Sequence, residues 1–487
     1  MLTLPRGPRK HDEFEVELTH IAPGGWGVGY IDAEIGPQAQ PRRYKIMVRK
    51  TPPRTRLRAR VIQARKGVLT CEVSEILQSA PALVEPACPH FGSRHETNKG
   101  CGGCTMQNLS YEDQLVAKRD MVKRMFTARE LPAELVRPVI GMQTPWFFRN
   151  KMEFSIGDYN EEGFCIGLHP TGFKHDVIDL RTCLVLSEEA MEILPAVRTW
   201  AQEHDLKPYK PRQGTGVLRT LTIREGKHTG QRLVAVTTTP LEGAAWADDA
   251  KQGLVEALRA LEVRVDSIYW IEHKAARGTP TSFEDHLLWG APMLRETLTM
   301  PGGHELAFDV HPRAFFQPNT SQAQVLYTEV LKRTGLLDGT TEHVLDLYCG
   351  TGTIGMCMAP YASRVTGIEL NPQAVENARE NAVLNGMDNI SFLCGDVGKV
   401  LASGELEVHC VDLVVVDPPR AGLFPQAVEQ IAAIAPKRLL YVSCNPESLA
   451  RDTLRLKAHG YALQEIQPVD MFPHTHHIEN IAVFEKE

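Results

Sequence analysis

Long apolar runs are missing from this 487-residue sequence. A helix that spans a membrane needs ~20 consecutive apolar residues, and no stretch comes close to that length. The first residues also lack an apolar core of the size found in signal peptides. We therefore expect a cytoplasmic protein without a membrane anchor. Low-complexity tracts and solenoid-type repeats are absent too, so a globular chain of about two or three domains is expected.

An overall excess of basic residues is missing as well, because the formal net charge is −7. Acidic residues, however, are absent from residues 41–66, where Lys and Arg are dense. A surface of this kind suits the phosphates of a nucleic acid, and we interpret the segment as an RNA contact. The alternative is a solvated basic strand edge that prevents aggregation.

The eleven cysteines lack the even number and the regular spacing of a disulfide framework. Cys88, Cys101 and Cys104 lie close together, and Cys183 follows them. Four thiolates can hold a tetrahedral zinc ion or an iron–sulfur cluster. The Cys-x-x-x-Cys-x-x-Cys spacing of radical enzymes is absent, which argues against radical chemistry. Further cysteines lie mostly in apolar contexts and are predicted to be core residues: Cys71, Cys165, Cys349, Cys357, Cys394 and Cys410.

The order of the predicted strands and helices divides the chain into three parts. Residues 11–79 contain short strands with glycine-rich turns, which predicts a small β-barrel of OB type. Residues 80–310 mix strands and helices and form a central α/β domain that holds the cysteine-rich loop. Residues 311–487 alternate strands with helices, which predicts an open, Rossmann-like parallel sheet with helices on both faces.

A glycine-rich loop follows the first strand of this third part. Gly350, Gly352 and Gly355 match G-x-G-x-x-G, in which glycine permits a tight turn and a close approach to a ligand. Glu369 ends the next predicted strand, where a carboxylate can bind the hydroxyl groups of a ribose. The pattern predicts a cofactor that contains adenosine, and both NAD and S-adenosylmethionine satisfy it.

A rigid turn follows a later strand. Asp417 ends the strand and is followed by two prolines and Arg420. Methyltransferases that act on exocyclic amino groups commonly have an Asn-Pro-Pro-aromatic turn at this place. A carboxylate only accepts hydrogen bonds, whereas an amide also donates them, so aspartate suits the N–H group of a uracil ring. The alternative is a loop stiffened by proline without a catalytic role.

A cysteine, Cys444, lies between an apolar strand and the turn Asn445-Pro446. Asn is a good helix N-cap and Pro suits the first helical position, so a helix is predicted to begin there. A thiol at a helix N-terminus ionises more readily than a free thiol and can act as a nucleophile. Addition of the thiolate to carbon 6 of uracil would make carbon 5 nucleophilic, so that carbon 5 can take a methyl group.

A base must afterwards remove the proton from carbon 5 so that the enzyme can leave by elimination. Glu479, just before the last predicted strand, is the predicted base. The neighbouring His474, His476 and His477 offer a metal site as the alternative, but their spacing matches no tetrahedral signature.

These motifs resemble those of the RNA (uracil-5-)-methyltransferases, in particular the branch that acts on large-subunit ribosomal RNA. The matching segments occur in the family's order over nearly the whole chain: RAFFQPN (313–319), DLYCGTGTIG, DPPR, SCNP and DMFPHTHHIE. The resemblance implies an N-terminal TRAM barrel, a central domain and a C-terminal class I methyltransferase domain. It implies that Cys444 is the nucleophile and that Glu479 is the general base.

The resemblance also implies the ligands. The residues expected around S-adenosylmethionine and the target base are Gln317, Tyr348, Gly350, Gly352, Thr353, Glu369, Asp396 and Asp417. Among these, Thr353 and Asp396 stand where relatives often have asparagine. The residues expected to hold a four-iron–four-sulfur cluster are Cys88, Cys101, Cys104 and Cys183. The gap between the first two is longer than in relatives and includes His95, so zinc is the alternative metal.

The leading hypothesis is methylation of carbon 5 of a specific uridine in 23S-type ribosomal RNA, with transfer RNA as the alternative substrate. The target base would be flipped out of its stack into the pocket. Two other classes are considered, a nucleotide-dependent oxidoreductase and an inactive RNA-binding assembly factor. An oxidoreductase would leave Cys444, Glu479 and the basic barrel without a role. An inactive assembly factor would leave the catalytic residues without a role. We expect a monomer.

Overall fold

The computed structural model describes residues 2–36, 40–92, 100–159, 163–173, 175–241, 246–275, 281–339, 343–404 and 411–487. His95 and Cys410, which the sequence analysis singled out, lie outside these residues. The strands are β1 (Leu2–Leu4), β2 (Glu13–Ala22), β3 (Trp26–Ile35), β4 (Gln40–Arg49), β5 (Arg56–Arg65), β6 (Val68–Gln78), β7 (Lys151–Tyr159), β8 (Gly163–Leu168), β9 (Ile178–Asp179), β10 (Leu218–Glu225), β11 (Arg232–Thr238), β12 (Ser267–Lys274), β13 (Ser282–Gly290), β14 (Leu294–Met300), β15 (His304–Val310), β16 (His343–Leu347), β17 (Arg364–Glu369), β18 (Ile390–Cys394), β19 (Leu413–Val416), β20 (Arg438–Ser443), β21 (Tyr461–Val469) and β22 (Glu479–Lys486). The helices are α1 (Tyr111–Thr127), α2 (Glu188–Met191), α3 (Ile193–Glu203), α4 (Ala247–Arg259), α5 (Thr320–Thr334), α6 (Thr353–Met358), α7 (Pro372–Leu384), α8 (Val397–Ala402), α9 (Pro425–Ile434) and α10 (Pro446–Ala458).

The described chain divides into two compact units. The first comprises Met1–Gly92, Gly103–Pro145 and Gln467–Glu479. The second comprises Ser93–Gly102, Trp146–Ile466 and Asn480–Glu487. The three domain boundaries drawn from the sequence stay predictions. In the described residues, no helix is both long and apolar enough to cross a membrane.

The first unit contains a closed barrel of five strands. The sheet order is β1-β3-β2-β5-β6-β4, and the additional pairing of β3 with β4 closes the five strands β2 to β6 into the barrel. The short strand β1 adds to this barrel by pairing with β3. Apolar and polar residues alternate along β2, so that Phe14, Val16 and Leu18 point into the core while their neighbours are exposed. Gly29 permits close strand contact, because a Cβ atom there would lie 2.6 Å from the carbonyl oxygen of Glu17. The predicted N-terminal barrel is confirmed.

The helix α1 and the segment 467–479 complete this unit. Ser110 caps α1 by accepting a hydrogen bond from the amide of Asp113 at 3.2 Å. Lys118 of this helix is 1% exposed and forms an ion pair with Asp470 at 2.6 Å. The helix is therefore less basic on its surface than its sequence indicates.

The second unit begins with a mixed sheet in the order β13-β12-β11-β10-β7-β8-β9. The pair β11–β12 is parallel, whereas the pairs β10–β11, β7–β10 and β12–β13 are antiparallel. A hairpin of β14 and β15 then leads into α5. The sequence predicted α/β content here without a topology.

The last sheet has the order β18-β17-β16-β19-β20-β22-β21. The strands β16 to β20 pair in parallel, and β22 runs antiparallel to β20. All five residues of β16 are buried, as expected for a strand covered by helices on both faces. The predicted Rossmann-like sheet is confirmed, and the strand β21 is an addition to it.

Candidate active site

The carboxyl ends of the parallel strands form the edge of the last sheet where the predicted cofactor residues meet. Tyr348 follows β16, Glu369 ends β17 and Asp417 follows β19. The registers pair Leu347 with both Ile368 and Val416, so these ends lie side by side. Ligands of open parallel sheets bind at this edge, where the strand order reverses.

The glycine loop is held by two carboxylates. Oδ2 of Asp346 accepts a hydrogen bond from the amide of Gly355 at 2.8 Å. Oε2 of Glu369 accepts one from the amide of Gly350 at 3.1 Å, and its Oε1 accepts one from Asn371 at 2.8 Å. A carboxylate has lone pairs for further bonds, so Glu369 can still accept hydrogen bonds from ribose hydroxyls.

Replacing Gly352 with alanine should weaken S-adenosylmethionine binding at least about tenfold. Gly352 has a φ of +75°, and an added Cβ would lie 2.6 Å from the ring of Phe392, so the loop must move. Gly386 is the matched control, since its φ is +63° and no atom lies within 4 Å of an added Cβ. Calorimetric titration should show weak binding for Gly352→Ala and near-normal binding for Gly386→Ala. Equal losses in both variants would contradict the prediction.

Burial strongly shifts two carboxyl groups at this edge. Burial raises the pKa of Asp346 to about 8, and the charges of Asp417 and Glu369 add to this rise. Burial also raises the pKa of Asp417 to about 7. Oδ1 of Asp346 is buried, and among the described residues it has no hydrogen-bond partner. Perturbed carboxyl groups of this kind cluster at functional sites.

The remaining predicted cofactor residues lie on the same sheet edge or in the loops beside it. Tyr348 is half-buried and has a φ of +62°, a left-handed backbone conformation that is uncommon for residues other than glycine. Thr353 is the buried first residue of α6, and its Oγ1 lies 3.3 Å from Oγ1 of Thr351. Asp396 is exposed and caps α8 by accepting a hydrogen bond from Lys399 at 3.1 Å.

Gln317 is buried in the loop before α5. The loop is held by two side chains that sequence reasoning missed. Nδ2 of Asn150 donates to the carbonyl of Gln317 at 2.8 Å, and Nε of Arg224 donates to the carbonyl of Pro312 at 2.8 Å. Arg224 is 2% exposed and also donates to the carbonyl of Ala314. No local pattern marks either residue, because each lies more than 80 residues from its partners.

Cys444 lies in the bend between β20 and α10 and is half-buried. As predicted, Asn445 caps α10, and its Oδ1 accepts a hydrogen bond from Glu447 at 3.1 Å. Nδ2 of Asn445 donates to the carbonyl of Arg420 at 2.9 Å, which ties the bend to the Asp-Pro-Pro-Arg turn. The thiol is thus held beside the turn that begins at Asp417.

Glu479 is buried, with 4% exposure, and is the first residue of β22. The ladder between β20 and β22 ends at the pair Ser443–Asn480. In the chain, Cys444 is the residue after Ser443, and Glu479 is the residue before Asn480. In addition, Nδ2 of Asn480 donates to the carbonyl of Ser443 at 3.2 Å.

The four cysteines of the predicted cluster lie in both units. Cys88 and Cys104 belong to the first unit, and Cys101 and Cys183 to the second. The amide of Cys88 donates to Oε1 of Gln107 at 3.1 Å, and the amide of Gly102 donates to the carbonyl of His169 at 3.0 Å. The cluster stays a prediction.

The cysteines predicted to be core residues separate into two groups. Cys71, Cys165, Cys349 and Cys357 are buried, as predicted. The prediction was wrong for Cys394, which is exposed. It is the last residue of β18, which is the edge strand of the sheet, so it is covered less than residues of the central strands.

Comparison with known proteins assigns the family. The model of the tRNA (uracil-5-)-methyltransferase family matches residues 281–487. An uncharacterized RNA methyltransferase from Halalkalibacterium halodurans is 34% identical over 479 residues, which cover 98% of this chain and 97% of that protein. This chain belongs to the RNA (uracil-5-)-methyltransferase family. The resemblance to this family found in the sequence, and the enzyme class it implies, are confirmed.

Two further relatives match this methyltransferase over most of its length. An uncharacterized RNA methyltransferase from Caldanaerobacter subterraneus is 35% identical over 471 residues, or 95% of this chain and 96% of that one. The crystal structure of the Pyrococcus abyssi tRNA (uracil-54, C5)-methyltransferase in complex with S-adenosyl-L-homocysteine has a TM-score of 0.72 and 26% identity. It covers 96% of this chain and 100% of that one. The methyltransferase family uses S-adenosylmethionine, and the glycine loop with its free approach at Gly350 fits such a cofactor.

Proposed function

We propose that this enzyme methylates carbon 5 of a specific uridine in large-subunit, 23S-type ribosomal RNA. The observation that carries the proposal is the bend at Cys444, which places a thiol before α10 and is tied to the Asp417 turn. A helix N-terminus stabilises a thiolate, which is the form that attacks carbon 6. The choice of ribosomal RNA rests on the order of the motifs from RAFFQPN to DMFPHTHHIE.

Cys444 and Glu479 carry the steps that follow. The thiolate of Cys444 adds to carbon 6, and the electron pair of the double bond moves to carbon 5 and carbonyl 4. Carbon 5 would then take the methyl group that bound S-adenosylmethionine supplies, while the bond from sulfur to methyl breaks and S-adenosylhomocysteine remains. Glu479 then accepts the proton from carbon 5, the double bond re-forms, and the bond from carbon 6 to sulfur breaks with its electrons returning to Cys444. Asp417 would accept a hydrogen bond from the uracil N–H.

Transfer RNA is the second candidate substrate. The Pyrococcus abyssi structure, which matches this chain over 96% of its length, is that of a tRNA (uracil-54, C5)-methyltransferase. We propose that the barrel is a TRAM domain that binds either kind of RNA. The three proposed domains comprise residues 11–79, 80–310 and 311–487.

The RNA contact of the barrel is proposed on β4 rather than on β5. Three arginines of β5 form ion pairs with glutamates: Arg56 with Glu15 at 3.2 Å, Arg58 with Glu75 at 2.5 Å and Arg60 with Glu13 at 2.9 Å. On β4, the guanidinium of Arg49 lies 4.0 Å from the centroid of the Trp26 ring. An arginine next to an aromatic ring can bind a phosphate and support a stacked base.

The four cysteines at positions 88, 101, 104 and 183 are proposed to hold a four-iron–four-sulfur cluster. Four thiols are the donor set such a cluster requires, and zinc is the alternative for the same set. The cluster would support the fold or RNA docking and would take no part in methyl transfer. A monomer in the cytoplasm is the proposed working state.

The proposal is tested with RNA that carries 5-fluorouridine, incubated with the enzyme and S-adenosylmethionine. Fluorine at carbon 5 cannot leave as a proton, so the reaction should stop at a covalent protein–RNA adduct. Mass spectrometry should locate the link at Cys444, and fragments of ribosomal RNA should trap better than transfer RNA. Preferential trapping of transfer RNA would correct the substrate. No adduct with either RNA, in protein that binds the cofactor, would refute the mechanism.

The affinity for S-adenosylmethionine should rise as the pH increases from 6 to 8. The pKa of Asp417 is about 7 and that of Asp346 about 8, so both groups lose protons in this range. The sulfonium of S-adenosylmethionine is positive and is attracted more strongly by ionised carboxylates, so we expect a rise of roughly tenfold. S-adenosylhomocysteine lacks the methyl group and the positive charge but is otherwise the same molecule, so its affinity should depend less strongly on pH. Equal pH slopes for both ligands would contradict the prediction.

A further inference from the structure

The residues 470–479, here called the Glu479 segment, are bound tightly to α1. Nζ of Lys118 donates to Oδ1 of Asp470 at 2.6 Å and to the carbonyl of Phe472 at 3.0 Å. The hydroxyl of Tyr111 donates to Oδ2 of Asp470 at 3.0 Å. These contacts fix the beginning of the segment.

The middle of the segment is fixed at His474. The amide of His474 donates to Oε1 of Gln114 at 2.9 Å, and its ring Nδ1 lies 3.2 Å from Nε2 of the same glutamine. The carbonyl of His474 accepts hydrogen bonds from the amides of Thr105 and Met106 at 2.9 and 3.0 Å. His474 has a φ of +63°, a conformation that only such surrounding contacts can maintain.

Gln114 is the central residue of this arrangement. It is 1% exposed, and its Nε2 also donates to the carbonyl of Leu109 at 2.9 Å. One side chain therefore binds both the backbone and the ring of His474, five positions before Glu479. Thr105 supports the next part of the segment, because its Oγ1 accepts a hydrogen bond from the amide of His476 at 3.1 Å.

We infer that Gln114 and Thr105 are positioning residues for the removal of the carbon-5 proton by Glu479. This inference rests on the proposed function, in which Glu479 is the base. A displacement of about 1 Å can slow a reaction step by roughly 100-fold. The residues on both sides of Cys444 are held by bonds that involve neither Gln114 nor Thr105, since the amide of Asn445 donates to Oγ of Ser443 at 3.2 Å and Asn445 caps α10, so we expect the addition step to stay intact when these two residues are replaced.

The order of the chemical steps determines which intermediate should accumulate when Glu479 is displaced. Addition of Cys444 and transfer of the methyl group precede proton removal, and neither needs Glu479. A displaced base leaves the methylated pyrimidine bound through carbon 6 to sulfur, with the proton still on carbon 5. Ordinary RNA should therefore accumulate as a covalent adduct in an enzyme whose Glu479 segment is loosened.

The test compares Gln114→Met, which keeps the side-chain volume and loses its hydrogen bonds, with the wild-type enzyme. On ordinary RNA, the steady-state fraction of covalent adduct should rise at least about tenfold. The kinetic isotope effect of 5-deuterated uridine on kcat should increase. The rate of trapping by 5-fluorouridine should stay within about threefold of the wild type, since that reaction stops before proton removal. Thr105→Val, which removes only the bond to His476, should show the same pattern more weakly.

Arg119→Met is the matched control on the same helix. The guanidinium of Arg119 donates twice to the carbonyl of Val136, at 3.1 and 2.9 Å, outside the Glu479 segment. It should loosen α1 without adduct accumulation. If both the trapping rate and turnover fall in the same ratio in Gln114→Met and Thr105→Val, or if the isotope effect is unchanged, the inference is wrong. Failure of the wild-type enzyme to trap 5-fluorouridine would instead refute the proposed function.

Discussion

Cys444→Ala should abolish methylation and leave the binding of S-adenosylmethionine within a few-fold of the wild-type value. Without the thiolate, carbon 5 of uracil remains a poor nucleophile, because no enolate forms at the ring. Removal of the nucleophile from a covalent enzyme lowers kcat by about 10⁴-fold or more. The substitution deletes one sulfur atom in a bend whose cap, Asn445, keeps its bonds to Glu447 and Arg420. The loss should therefore appear in chemistry rather than in folding.

Transfer of a labelled methyl group to RNA measures the effect, and adduct formation with 5-fluorouridine measures the addition step separately. Cys394→Ala is the matched control, since it removes an exposed thiol at the end of β18, another strand of the same sheet. It should retain near-normal turnover and trapping. An adduct that persists in Cys444→Ala, or one that maps to Cys394, would assign the nucleophile to another thiol.

The sequence predicted best the elements whose partners are near in the chain. Alternation in β2, with Phe14, Val16 and Leu18 inside, identifies a strand without knowledge of its neighbours. The cap residues Ser110 and Asn445 act on amides two or three positions away, so the starts of α1 and α10 could be predicted. Local chemistry of this kind is independent of the rest of the fold.

Elements and roles that depend on distant partners could not be predicted. Asn150 is buried against the carbonyl of Gln317, 167 positions away, and nothing in its local sequence indicates that contact. The strand β21 has polar residues at several positions and a proline near its end, so its sequence lacks the apolar pattern of the other strands.

Asp346, in contrast, could have been identified as a site residue from the sequence, because an acidic residue at the end of a buried strand before a glycine loop is unusual.

The candidate site shows the same difference between features that are local in the sequence and contacts between distant residues. The motifs around Gly350, Asp417 and Cys444 were visible because each is a short run of residues with its own chemistry. The supports behind them were invisible, since Arg224 and Gln114 resemble ordinary polar residues of a strand and a helix. A motif identifies the group that reacts, whereas the distant contacts that hold it become visible only in the fold.

Lys118→Met should lower the free energy of unfolding by about 3–5 kcal/mol, because the carboxylate of Asp470 stays buried without its cation. Lys118 is 1% exposed and Asp470 is fully buried, so both charged groups are shielded from solvent in the folded protein. Burial lowers the pKa of Lys118, and the charge of Asp470 opposes this, so each group depends on the other. Chemical denaturation at pH 7 without ligands measures the loss.

The double variant Lys118→Met, Asp470→Leu separates the cost of an isolated charge from the value of the pair. Apolar residues of similar volume replace both groups, and such exchanges of a buried pair are often nearly neutral. Since Tyr111 and the amide of Phe472 also lose a partner at Asp470, recovery should be partial, to within about 2 kcal/mol of the wild type. A single variant that loses less than about 1 kcal/mol would contradict the prediction. The expected result would show that this buried pair, 352 positions apart in the chain, holds α1 to the beginning of the Glu479 segment.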